Sequence, residues 1–300
     1  MFVGPSPRVT NVTEVHQFAS IHHDTYPLIS PEDINLSGRS VFIAGASKGI
    51  GKTTAIRYAA AGCSKIILGA RSSLVELETA VRAAAVQAGR LEPDVLSLSL
   101  DVSSDASVQA AAAAIDKFSG SLDVLIANAG SSDNWVPIAE TNPAGWWQTI
   151  DTSLNGLYLC TRHLIPLLLK SDLKMIVALS SIGAVNVTPG ASAYQTAKLA
   201  TCRFVEFIDQ EYHTQGIVAI ALHPGGVRTE LGLTMPEAFH SYLVDTPELP
   251  ADHMAWLAKE RREWLSGRFI TSNWDVGELE AKKNEIVEKN LLKFKLDLGS

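Results

Sequence analysis

From Ser40 onward the chain repeats one unit: a short apolar run, then a longer segment rich in alanine. The apolar runs fall at 41–44, 65–68, 95–100, 122–127, 173–180 and 217–222, and the longer segments at 53–61, 74–89, 107–118, 146–169 and 193–215. Runs of this length, apolar on successive residues instead of alternate ones, suit strands covered on both faces. The segments between them are long enough for helices. Strand–helix–strand crossovers are right-handed, so the repetition leads to a doubly wound α/β fold, a parallel sheet of the Rossmann type with helices on both faces. No repeat period or low-complexity linker divides the chain, which predicts a single domain over 38–275.

The flanks lack the alternation. Residues 1–37 carry Pro5, Pro7, Pro27 and Pro31 among polar residues and are expected to form an extended or loosely packed N-terminal arm. Residues 229–263 hold Met235, Phe239, Tyr242, Met254 and Trp256, interrupted by Pro236, Pro247 and Pro250, and are expected to form an irregular, partly helical substrate-binding flap. Residues 268–271 look like a last short strand. A charged surface helix is expected over 276–289, within a C-terminal helix and tail of 276–300.

Composition narrows the class. The chain has 300 residues, 46% of them apolar and 19% charged, and a formal net charge of −7, which provides material for a core and disfavours nucleic-acid or basic membrane-surface binding. Its longest apolar stretches, 164–169 and 175–179, are far shorter than the roughly 20 residues needed to cross a bilayer. The first twenty residues show no basic stretch followed by an apolar one, so no secretory signal is expected. Cys63, Cys160 and Cys202 are odd in number and far apart, which points to reduced core thiols in a cytoplasmic protein. His22, His23, His213 and His223 show no ligand spacing, and no metal is expected.

The first strand runs straight into Gly45-Ala-Ser47-Lys48-Gly49-Ile50-Gly51 and a helix. Glycines there let the backbone turn sharply and approach a ligand, and the helix N-terminus behind them favours a pyrophosphate. Gly51-Lys52-Thr53 suggests a nucleoside-triphosphate loop as a rival. That motif needs glycine five positions before Gly51, where Ala46 stands.

Tyr194 and Lys198 are four apart at the start of a helical segment, which puts both on one face. A phenol titrates near pH 10, too high for ready proton exchange, and a neighbouring ammonium is expected to lower it. Ser180 and Ser181 end the preceding apolar run, at the strand end that faces the ligand crevice of an open α/β sheet. A hydroxyl there can hold a substrate oxygen as charge develops on it.

The glycine turn, Asn128-Ala129-Gly130, Ser181, Tyr194-x-x-x-Lys198 and Pro224-Gly225-Gly-Val227-Arg-Thr229, in this order, resemble the short-chain dehydrogenase/reductase family over about residues 38–228. The closing segment 264–275 resembles fungal members associated with secondary metabolism. The resemblance implies that Tyr194 is general acid in reduction and general base in oxidation, that Lys198 lowers its pKa and binds the nicotinamide ribose, and that Ser181 orients the substrate oxygen. It also implies that Asn155 supports the lysine through a water relay. Asn128 would be structural, with Ala129 and Gly130 near the adenosine half, Asp101 and Val102 near the adenine, and Pro224, Gly225, Val227 and Thr229 at the carboxamide and phosphate. Ala44 stands where the family often has Thr, and Ala127 where it often has Asn; neither is a reacting group.

In NAD-using relatives a carboxylate at the end of the second strand bonds the ribose 2′-hydroxyl. This chain has Gly69-Ala70-Arg71-Ser72 there, with Lys48 in the glycine turn, which points to NADP(H). Substrate walls are expected from 131–137, 183–192 and the flap, where Trp135, Val185, Val187, Leu231, Met235, Phe239 and Tyr242 offer apolar surface. The resulting reading is an NADP(H)-dependent oxidoreductase interconverting a ketone and a secondary alcohol on a neutral hydrophobic small molecule. Two alternatives are a redox-neutral epimerase or dehydratase on the same fold and a non-catalytic NADP-sensing protein. Apolar residues on several faces of 146–169 and 193–215 point to a homodimer or homotetramer, with Trp146 and Trp147 in the core or at a subunit contact.

Overall fold

A computed structural model describes residues 12–296. All seven expected strands are present: β1 (Ser40–Ala44), β2 (Lys65–Ala70), β3 (Asp94–Ser99), β4 (Val124–Ala127), β5 (Met175–Leu179), β6 (Val218–His223) and β7 (Arg268–Thr271). They form one sheet in the order β3-β2-β1-β4-β5-β6-β7, with every pairing parallel. The ten α-helices are α1 (Val12–Gln17), α2 (Gly49–Ala60), α3 (Val75–Gln87), α4 (Asp105–Ser119), α5 (Pro143–Ile150), α6 (Gly156–Leu168), α7 (Ser192–Tyr212), α8 (Glu248–Lys259), α9 (Val276–Ala281) and α10 (Lys283–Glu288). The fold is the expected doubly wound, Rossmann-type α/β domain.

Two apolar layers sandwich the sheet. One packs Ile43, Ile66, Leu68 and Val177 against Ala55 and Tyr58 of α2, Val81 of α3 and Leu257 of α8. The other packs Phe42, Ile67, Leu125 and Ile176 against Ile115 of α4, Leu164 of α6 and Val205 of α7. Strand order reverses between β1 and β4, and this is where an open α/β sheet opens a crevice at its carboxyl edge. No helix among the described residues is long and apolar enough to cross a membrane.

Four local expectations need correction. The segment expected as one helix over 146–169 is two helices joined by a π-helical turn, Asp151–Asn155. Gly156 follows it, where a Cβ would stand 2.7 Å from Val102 Cγ2, so the chain shifts register where it must pass close to the end of β3. The described part of 1–37 is not loosely packed: Ala19, Ile29, Ile34 and Leu36 join the same core as α2 and α8.

The flap ends sooner than expected. Its second half is α8, buried along nearly its whole length, with Arg57 of α2 gripping Asp252 at 2.6 Å through both carboxylate oxygens and Tyr58 donating to the Met254 carbonyl. Removing one partner of so buried a pair typically costs about 3–5 kcal/mol. Residues 276–289 form α9 and α10 instead of one surface helix, and Val276, Leu279 and Ile286 are buried.

Candidate active site

The glycine turn, Asn128–Gly130, Ser181 and the 224–229 loop each follow a strand at the carboxyl edge of the sheet, whereas Tyr194 and Lys198 lie on α7 and Asn155 in the π-helical turn. After β1, Gly45 takes φ +89°, and a Cβ there would lie 2.9 Å from the Ala129 backbone. Gly45 and Ala46 donate their N–H groups to the Gly69 carbonyl, and Asn128 Nδ2 donates to the Gly45 carbonyl at 2.7 Å. Asn128 therefore ties the end of β4 to the glycine turn. Gly49 has φ +53°, and a Cβ there would come within 3.0 Å of Thr229 Cγ2, so the glycine turn and the loop after β6 face each other closely.

Ser180 and Ser181 separate in role. Ser180 is buried, and its hydroxyl donates to the Lys198 carbonyl at 2.9 Å, holding β5 to α7. Ser181 remains partly exposed, its Oγ accepting from Gly183 N at 3.0 Å. Tyr194 and Lys198 sit in the first two turns of α7, and the Lys198 Nζ is 5.6 Å from the Tyr194 ring centre. Lys198 is 4% exposed and donates to the Leu179 carbonyl at 2.7 Å.

Burial governs both titrations. Tyr194 keeps some surface on the cleft, yet the protein packed around its phenol pushes the pKa up, and the Ser181 side chain pulls it back only in part. Burial pushes Lys198 down to about 8. The expectation that Lys198 lowers the phenol's pKa is therefore corrected: here desolvation dominates and the ammonium is directed to a backbone carbonyl.

Asn155 closes the π-helical turn, which packs against α7. The same turn carries Ser153, whose hydroxyl accepts from Ser131 N at 3.3 Å. A Cβ on Gly130 would lie 3.6 Å from Lys198 Nζ and 3.7 Å from Ser153 Oγ, so β4's end, the π turn and the lysine converge on one point.

On the other side of the crevice, Arg71 and Ser72 are exposed at the end of β2. They border a hollow also lined by Ser73, Ser97 and Ser99, where the buried Ser97 Oγ has no partner among the described residues. Asp101 Oδ1 accepts from the Ser103 hydroxyl and N–H, which hold its carboxyl below the usual range, with a smaller contribution from Arg71. Val102 is buried behind it. Lys48 is ion-paired with Glu230, next to Thr229. The loop 224–229 has Gly225 at φ +92° and Val227 buried.

The three expected substrate walls meet. The Trp135 and Phe239 ring centres are 5.8 Å apart, and those of Phe239 and Tyr242 are 6.4 Å apart. Gly190 at φ +88° packs on the Trp135 backbone, where a Cβ would lie 2.8 Å from its carbonyl carbon. Val185 packs into the core and Val187 is exposed. Trp146 reaches the site rim, its Nε1 donating to Ser192 Oγ at 3.1 Å, whereas Trp147 is exposed. Sequence reasoning missed Ser153, Glu230, His23 and Asp245. Each acts through a contact distant in sequence, and no local spacing marks it.

The family description "short chain dehydrogenase" matches residues 39–238. The short chain dehydrogenase citE of Monascus ruber is 51% identical over 277 residues, covering 92% of this chain and 95% of that protein. The short chain dehydrogenase andI of Emericella variicolor is 42% identical over 274 residues, covering 91% of this chain and 94% of that protein. Among solved structures, levodione reductase superposes with a TM-score of 0.71 at 23% identity, covering 80% of this chain and 97% of its own. The expected likeness to fungal members is borne out, and this chain belongs to the short-chain dehydrogenase/reductase family.

Proposed function

We propose that this oxidoreductase uses NADP(H) to interconvert a ketone and a secondary alcohol on a neutral hydrophobic small molecule of secondary metabolism, with Tyr194 as general acid and base. The observation that carries the reading is the placement of Tyr194 beside Ser181 at the strand-reversal crevice, with the aromatic side chains of Trp135, Phe239 and Tyr242 on the substrate side. When bound, the nicotinamide supplies or accepts the hydride. The residues fit such a group: the glycine turn leaves open backbone where side chains would block approach, and the end of β2 offers Arg71, Ser72 and the unpartnered Ser97 hydroxyl, with no carboxylate to repel a 2′-phosphate.

In reduction, Ser181 holds the carbonyl oxygen by a hydrogen bond and Tyr194 donates its phenolic proton to that oxygen as negative charge develops there. The raised phenol pKa keeps the acid protonated at neutral pH. Lys198 places positive charge beneath the ring and would hold the nicotinamide ribose. The π turn that carries Asn155 packs against α7, and Ser153 ties it to Ser131. In oxidation the same hydroxyls work in reverse.

The deciding experiment incubates the purified chain with NADPH and a panel of polycyclic and polyketide-derived ketones, following the 340 nm nicotinamide band and the product mass. Loss of the band together with a product two mass units heavier supports the reading. A product formed with no change in the band would favour a redox-neutral step, and tight NADPH binding with no product from any candidate would favour a sensor.

A further inference from the structure

The loop 224–229 is held from beneath by a carboxylate that comes from another part of the chain. Asp245 is buried, its side chain 4% exposed, and its Oδ2 accepts from the Gly226 N–H at 2.5 Å. Its own N–H donates to the Gly226 carbonyl at 3.0 Å, and Asp245 pairs with Val227 in an isolated parallel bridge. A Cβ on Gly225 would lie 2.5 Å from Asp245 Oδ2, so the carboxylate fits flush against the two glycines.

The other oxygen, Oδ1, lies 2.5 Å from His23 Nδ1, which places the ring N–H as its donor. His23 is fixed on both sides. Its carbonyl accepts from Thr246 N, and its neighbour Asp24 accepts from the Thr246 hydroxyl at 2.6 Å. His22 exchanges backbone and side-chain hydrogen bonds with Asn273, and its ring meets Asp275 at 2.9 Å. Both His23 and Asp245 lie outside the residues 39–238 that match the family.

We propose that Asp245, held by His23, is a positioning residue for the nicotinamide half of the cofactor site, so that the N-terminal segment helps to build that site. This rests on the cofactor reading above. A buried acceptor fixes the direction of the Gly226 peptide, and Val227 and Thr229 follow within three residues. Thr229 in turn abuts Gly49 of the glycine turn. Losing the carboxylate leaves the Gly226 N–H unpaired and lets the loop turn away. Losing the imidazole leaves the carboxylate one donor short while its bond to Gly226 remains.

The test compares a dinucleotide with its adenosine half on the full chain, by titration calorimetry. The proteins are the wild type, Asp245→Ala, His23→Ala and His23→Gln; the ligands are NADPH and 2′,5′-ADP, or NADH and 5′-AMP if the wild type takes NADH. Asp245→Ala should weaken the dinucleotide about tenfold or more and His23→Ala severalfold, with the nucleotide fragment changed less than about twofold. His23→Gln, which keeps an N–H donor, should recover most of the His23→Ala loss. Dinucleotide and fragment weakening in parallel, or no change in either, would overturn the positioning role. If Asp245→Ala fails to fold, the His23 variants decide, because that side chain is 61% exposed and its removal leaves no cavity. A wild type that binds neither dinucleotide would overturn the cofactor reading, and this inference with it.

Discussion

Lys198 Nζ lies 5.6 Å from the centre of the Tyr194 ring and donates to the Leu179 carbonyl, so the lysine underlies the phenol without bonding to it. If Tyr194 is the acid in reduction, as proposed, it is a neutral phenol, since burial raises its pKa. Tyr194→Phe keeps the ring and its packing and removes only the proton. General acid–base catalysis contributes about 10²–10⁴-fold, so kcat should fall by that range with little change in NADPH affinity. Wild-type turnover by a folded, NADPH-binding Tyr194→Phe protein would remove Tyr194 from the mechanism.

Lys198 is predicted to set the alkaline limit. Its pKa is lowered to about 8, below the ordinary lysine value, so the ammonium is present at pH 7 and lost as pH rises through 8. The reductive kcat/KM of the free enzyme should be flat below pH 7 and fall with a midpoint near 8. Lys198→Arg keeps the charge at every accessible pH and should work more slowly but without that midpoint. An unchanged alkaline limb in the arginine variant would assign the titration to another group.

Cofactor choice is predicted to rest on Arg71. A charge-assisted hydrogen bond to phosphate is worth on the order of 1.5–3 kcal/mol, so Arg71→Ala should weaken NADPH by about ten- to a hundredfold. NADH, which lacks the 2′-phosphate, should be nearly unaffected. Equal losses for both, measured by fluorescence titration, would mean that Arg71 does not read the phosphate. Lys48 must leave Glu230 before it can contribute, which makes Arg71 the better single probe.

The sheet was legible because it is written locally, and so was the pairing of Tyr194 with Lys198 on one helix face. Apolar runs mark strands, and Tyr194 and Lys198 are one helical turn apart. The packing of the flanks was not legible. Ile29, Ile34 and Leu36 follow no helical or strand period and sit near prolines, so their burial depends on α2 and α8, which the sequence places far away. The same holds for α8, where Pro247 and Pro250 suggested an irregular flap but occupy its N-cap and first turn, which proline tolerates. Asp245 shows the limit most clearly: its partners Gly226 and His23 are 19 and 222 residues away.

Acid should destabilise the fold through two buried histidines. Burial pushes His223 down to about 3 and His253 to about 4, and neither His223 Nδ1 nor His253 Nε2 has a partner among the described residues. In the unfolded chain each would titrate near 6.5. Between that value and the folded ones the unfolded state binds more protons, so stability is retained above about pH 6.5 and lost as pH falls toward 4. Urea midpoints should drop between pH 7.5 and 5, and His253→Gln, though less stable at both, should show a shallower drop. An identical slope in wild type and variant would exclude His253 as a source.

The outer faces of α6 and α7 carry the prediction for assembly. Tyr158 on α6 is 42% exposed, and Leu199 and Phe207 on α7 are 43% and 54% exposed, with the Tyr158 ring edge-on to Phe204 so that the two helices present one surface. Leu199, Arg203 and Phe207 follow one another at four-residue intervals, which lines them along a single stripe of α7. Exposed Leu199 and Phe207 flanking Arg203, with Tyr158 beside them, suit a self-complementary contact about a two-fold axis. Light scattering of the wild type should therefore give at least twice the 32.2 kDa of one chain. Leu199→Glu with Phe207→Glu places like charges across that axis and should shift the mass to a single chain, with the fold intact by circular dichroism because neither side chain is part of the core. A wild type that is already monomeric at micromolar concentration, or a double variant that keeps the wild-type mass, would rule out this surface as the contact.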